Sequence, residues 1–84
     1  MTSNEAVDVL SKNWWKHYPD TFEHDNFEFK AGEKIKETLE NDTHFPNSYI
    51  INATITKKNE NDGDEVFFAV SKSTGDCQVA IYWQ

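Results

Sequence analysis

From Tyr49 onward the chain alternates apolar and polar side chains with a period of two, and this pattern restricts its second half to β-strands. Tyr49, Ile51, Ala53 and Ile55 fall on one side of the first run, and Asn52, Thr54 and Thr56 on the other. After the polar loop NENDGD, Val66, Phe68 and Val70 alternate with Glu65, Phe67, Ala69 and Ser71. The tetrapeptide Ser73, Thr74, Gly75, Asp76 is a turn in which Gly75 supplies a positive φ, and Cys77, Val79, Ile81 and Trp83 form a third apolar row. Closing this hairpin around Thr74 and Gly75 sets Val70 against Val79, Phe68 against Ile81 and Val66 against Trp83. A slip of one residue would place an apolar row opposite a polar one, so the pattern fixes the parity of the pairing.

The first half has a different period. Thr2 followed by Glu5 is a capping-box pair, and Ala6, Val7, Leu10 and Trp14 recur at helical spacing, which predicts a helix over about residues 3 to 16. Pro19 ends it. Residues 20 to 30 carry a helical and a strand signal of equal weight. Ala31, Ile35 and Leu39 are spaced by four and predict a second short helix, which Phe27 extends by a turn. Asn41, Asp42, Pro46 and Asn47 break that pattern. The expectation is one α+β domain over residues 1–84, with a helical half at about 3–41 and a meander at about 48–84. In it, one or two N-terminal helices pack on one face of a three-stranded antiparallel β-meander.

Composition narrows the functional classes. Fifteen acidic residues against eight lysines and no arginine give a formal charge of −7, which repels phosphate backbones and argues against a nucleic-acid partner. No apolar run approaches the ~18 residues of a membrane span, and the first residues lack the pattern of a secretory signal. Cys77 is the only cysteine, so no internal disulfide can form. These features lead to the expectation of a cytoplasmic protein.

No cofactor-binding or catalytic motif emerges. His17 and His24 with Asp20, Glu23 and Asp25 form the densest group of potential ligands, but their spacing fits no metal motif. Aligning Gly63 with the obligatory glycine of a calcium loop puts Lys58 at the first ligand position and Ala69 at the last, which rules that loop out. Cys77 falls on the core face of its strand, where burial raises a thiol pKa. The expectation is therefore a protein without enzyme activity or a cofactor.

What remains is surface. The second face of the predicted sheet reads Ile50, Phe67, Ala69, Ala80 and Tyr82, too apolar for a face left to water. Either a phenylalanine of the connecting segments (Phe22, Phe27, Phe29 or Phe45) covers it, or it docks another protein. Trp15, adjacent to Trp14 on the helix, diverges from it by roughly 100° and either packs on the flank or anchors a partner. The hairpin tip with Glu60, Asp62, Asp64 and Glu65 is a solubilising turn or a contact for lysines and arginines. The leading reading is an acidic protein-binding module of the inhibitor or immunity type, directed at a basic protein such as a toxin or nuclease. In it Asp62, Asp64 and Glu65 steer the encounter, and Ile50, Phe67, Tyr82 and Trp15 supply contacts. Two other readings are a homodimer formed through the second sheet face and a metal-binding or catalytic protein built on His17 and His24.

Overall fold

A computed structural model describes residues 1–18 and 24–80 of the chain. The helix α1 (Ser3–Asn13) starts where the capping box places it. Glu5 N donates to Thr2 Oγ1 at 3.2 Å, and Thr2 N donates to Glu5 Oε1 at 3.0 Å. Trp14–Lys16 continue it as a 3₁₀ turn. No helix among the described residues is long and apolar enough to cross a membrane.

Among the described residues four strands follow, β1 (Phe27–Glu37), β2 (Ser48–Lys57), β3 (Gly63–Ser71) and β4 (Cys77–Val79), paired antiparallel in chain order. The α+β class and the meander of the second half agree with the sequence pattern, but the expected second helix does not form among the described residues. The segment expected as a helix around Ala31, Ile35 and Leu39 is the outer strand β1, paired with β2 from Phe27 opposite Lys57 to Glu37 opposite Tyr49. The physical reason lies in the spacing. Residues four apart share one side of a helix, but four is also an even number, so they share one face of a strand as well. Phe27, Phe29, Ala31 and Ile35 all pack against the helix-side core in this way, whereas Leu39 lies beyond the strand and is 73% exposed.

Between Ala31 opposite Ala53 and Ile35 opposite Ile51, β1 carries Gly32, Glu33 and Lys34 against the single residue Asn52. Two extra residues leave the alternation of faces intact, so Ile35 still points to the core. A β-carbon at Gly32 would sit 3.1 Å from Asn52 O, so this close passage of the two backbones suits glycine. The bulge, together with Lys30, Lys34 and Lys36, also makes β1 a poor template for edge-to-edge pairing with another chain.

The β3–β4 hairpin keeps the expected parity but is shifted by two residues. Phe68 lies opposite Val79 and Val70 opposite Cys77. Ser71 N donates to Asp76 O at 2.9 Å and Gly75 N to Ser71 O at 2.8 Å, so the loop spans Lys72–Gly75 instead of two residues. A two-residue loop centred on Thr74 and Gly75 would put the β-branched Thr74 at a positive φ in its favoured form, whereas the longer loop asks this only of Gly75, at φ 78°. The expected Val66–Trp83 pair lies outside the described residues. Gly75→Ala should lower stability by about 1 kcal/mol through this φ, measurable as a shift in the urea midpoint.

The main core lies between α1 and one face of the sheet. Ala6, Leu10 and Trp14 pack on Tyr49, Ile51, Ala53, Ile55, Val66, Phe68 and Val70. Trp14 stacks on Phe29 (6.0 Å between centroids, 19° between planes), and Phe29 meets Phe68 edge-on at 6.2 Å. Burying side chains as completely as Leu10, Ile51, Phe68 and Val70 contributes roughly 1.5–3 kcal/mol each.

A second, smaller cluster occupies the opposite face, where Phe45 from the β1–β2 connection packs on Ile50, Ala69 and Ala80. Thr38 holds that connection in place. Its hydroxyl donates to Phe45 O and accepts from Ser48 N at 2.7 Å, while its own N–H donates to Ser48 O at 2.8 Å. Asp42 Oδ1 accepts from His44 N at 3.0 Å and Phe45 N at 2.7 Å, closing the turn that presents the Phe45 ring.

Candidate functional site

Of the four phenylalanines that could cover the second face, Phe45 does so, and it covers only the half around Ile50 and Ala69. Phe27 and Phe29 belong to the helix-side core, and Phe22 lies outside the described residues. Phe67 borders the covered half and is only partly buried. Beside it, at the β1 bulge, lies an apolar depression of about 410 Å³, lined by Gly32, Glu33, Lys34, Lys36, Ile50, Asn52 and Phe67. Ile50, 2% exposed, is part of its floor and not a projecting contact. The register sets Phe67 beside Ala80, whose N–H donates to Phe67 O at 2.7 Å, and the expected partner Tyr82 lies outside the described residues.

Trp15 is half-buried and packs against the helix-side core, with its ring 6.0 Å from that of Trp14 at 87°. It therefore lies on the opposite side of the sheet from Phe67. The two aromatic residues do not form one patch.

The acidic residues gather at the far end of the sheet, where β2 turns into β3. Asn59 adopts φ 74° in this turn, and Glu60 N donates to Lys57 O at 3.0 Å. Next to the turn, Phe27, Ile55, Lys57, Glu60, Asp62, Gly63 and Asp64 line an open cleft of about 310 Å³. Its apolar part is the buried Ile55 and the half-buried Phe27, and its rim carries three carboxylates against one ammonium. Tyr18 Oη donates to Asp64 Oδ2 at 3.0 Å, which ties the segment after α1 to this rim. Asp62 is exposed, and Glu65 is exposed on the second face, paired through the backbone with Thr54.

No family model matches the chain, nor does any curated protein or solved structure. The chemistry of this surface therefore rests on its own geometry.

His17 is half-buried after the 3₁₀ turn, and Asp25 is exposed just before β1. Asp20 and Glu23, the other carboxylates of that group, lie outside the described residues. Among the described residues no three His, Cys, Asp or Glu side chains converge on a common point. Cys77 packs partly against the helix-side core, as its position in the apolar row implies. Burial pushes its thiol above the ordinary range, and the neighbouring Asp76 adds to the effect.

The sequence pattern locates the carboxylates of the hairpin end but not the apolar side chains that share the cleft with them. A helical reading of its segment keeps Phe27 away from Lys57, although the two face each other across β1 and β2. The bulge escapes the pattern for the same reason. Its one signal is Gly32 between two runs of even-spaced apolar residues.

Proposed function

We propose that this protein is a non-enzymatic binding module of the inhibitor or immunity type, which engages a basic protein such as a toxin or nuclease through the end of the β2–β3 hairpin. The observation that carries this reading is the cleft itself, whose lining joins the carboxylates of Glu60, Asp62 and Asp64, against the single ammonium of Lys57, to the apolar Phe27 and Ile55. Lysine and arginine side chains have that same division, an apolar stem and a charged head. A stem laid along Phe27 would bring its head among the carboxylates, and arginine suits the site better because its planar fork can engage two oxygens at once. The formal charge of −7 supplies the long-range attraction that speeds encounter with a basic surface. Glu65, exposed next to Asp64, adds a fourth carboxylate at the same end of the sheet.

An arginine-rich hexapeptide titrated into the ¹⁵N-labelled protein tests this. The expected result is a set of amide shifts centred on Phe27, Ile55, Asp62 and Gly63 that weaken steeply as salt rises from about 0.02 to 0.3 M. Glu60→Gln with Asp62→Asn should weaken binding by about tenfold, while Glu37→Gln with Glu40→Gln, at the other end of β1, should leave it unchanged. Equal responses from both pairs would reduce the acidic surface to a solubilising role.

A further inference from the structure

Of the three glycines in the chain, Gly63 alone follows an aspartate or an asparagine. We infer that the Asp62–Gly63 bond is a modification site, at which the folded protein converts Asp62 to isoaspartate with no reagent but water. The Gly63 amide nitrogen attacks Cγ of the Asp62 carboxylic acid. A C–N bond forms, and the proton of that nitrogen leaves with the carboxyl hydroxyl as water. A second water then opens the five-membered imide at either carbonyl. Breaking the new C–N bond returns aspartate, whereas breaking the original peptide C–N bond routes the main chain through Cβ and Cγ and frees the former peptide carbonyl as the carboxylate. At other aspartates the side chain of the next residue crowds the attacking nitrogen, and glycine has none.

The fold requires this glycine and leaves the pair able to react. A β-carbon at Gly63 would run into Thr56 Oγ1 and lie 2.8 Å from Thr54 Cγ2 and 3.0 Å from Ile55 O, so the approach of β3 to β2 admits no side chain there. Asp62 and Gly63 are both exposed, and Asp62 precedes β3. In an antiparallel ladder the backbone groups of successive residues turn to opposite sides. Lys58 N donates to Asn26 O at 2.7 Å, so Lys58 and, two residues earlier, Thr56 turn towards β1. Gly63 stands opposite Thr56, and its N–H therefore points away from β2. The bond from Ala80 N to Phe67 O agrees, because it places the odd-numbered residues of β3 on the side of β4. The β2–β3 ladder thus does not hold the nitrogen that attacks. Isomerisation keeps the charge of residue 62 but carries its carboxylate on Cα, one bond nearer the main chain, which draws it back from the cleft it lines.

The test is to hold the folded protein for weeks at body temperature and neutral pH, digest it with trypsin and follow the peptide 59–72, which contains both Asp62 and Asp64. A second chromatographic peak of identical mass should grow in, with the isoaspartate placed at residue 62 by fragmentation, at a rate within about fivefold of that in the free synthetic peptide. Asp64, in the same peptide but followed by Glu65, should yield at least about tenfold less. Asp62→Glu should abolish the second peak, because its imide would need a six-membered ring. Slower conversion in the folded protein than that fivefold margin, isoaspartate gathering at Asp64 instead, or a second peak that persists in Asp62→Glu would each overturn the inference. The isolated isoaspartate form should also bind the arginine-rich hexapeptide about threefold more weakly, an expectation that rests on the proposed reading of the cleft. Equal affinities would count against that reading alone, since the chromatography measures the modification without any ligand.

Discussion

Phe68→Ala should destabilise the protein by about 3–5 kcal/mol and leave it largely unfolded at body temperature. The Phe68 ring is fully buried in the centre of β3, between Ile51 on β2 and Val79 on β4, with Phe29 against its edge. Removing it takes away the transfer energy of the ring and leaves a cavity that three strands and a helix would have to close together. A domain of this size, lacking an internal disulfide, has a total stability at the low end of the roughly 5–15 kcal/mol range, so one such loss is most of what it has. Urea unfolding followed by tryptophan fluorescence measures the effect directly. Phe67→Ala supplies the internal control. Its ring belongs to the other face and is only partly buried, so the same chemical change one residue earlier should cost less than half as much. Comparable losses at both positions would mean that the two faces of β3 are assigned wrongly.

That contrast is legible in the sequence itself, because alternation over Val66, Phe67, Phe68, Ala69 and Val70 states which side chains share a face. The capping box at Thr2 and Glu5 is legible for a similar reason, since both partners lie within one turn of each other. What local pattern cannot supply is a choice between periods when apolar residues are spaced by four. Ala31 and Ile35 satisfy a helix and a strand equally, and the decision comes from β2, whose outer edge needs a partner along Phe27–Glu37. The hairpin register departs from expectation in a narrower way. Parity follows from the side-chain pattern, but the absolute register depends on loop length, and a threonine that resists positive φ lengthens the loop by two.

The candidate sites follow the same division. Glu60, Asp62, Asp64 and Glu65 lie within six residues of one another, so the acidic tip can be read directly. The cleft needs Phe27, which lies more than thirty residues earlier, and the depression needs a bulge in a segment whose spacing also suits a helix. Both sites exist because β1 is a strand. Were the segment helical, the second face would lose its lysine-bearing wall and the hairpin end its aromatic floor.

Thr38→Val should cost about 2–4 kcal/mol, although it changes neither the shape nor the volume of the side chain appreciably. The Thr38 hydroxyl is buried and serves both as donor to Phe45 O and as acceptor from Ser48 N. Valine keeps the packing and removes both bonds at once, and each buried backbone group left without a partner costs roughly 1–3 kcal/mol. The consequence is local before it is global. Phe45 is held over Ile50, Ala69 and Ala80 by a connection that this hydroxyl pins at Phe45 O and Ser48 N, so the amides of Phe45 and Ser48 should exchange with solvent faster than those of Ile51 and Phe68 in the middle of the sheet. Thr38→Ser, which keeps the hydroxyl and drops only a methyl group, should restore slow exchange and recover most of the stability. If valine and serine behave alike, the methyl group and not the hydrogen-bonded hydroxyl holds the connection down.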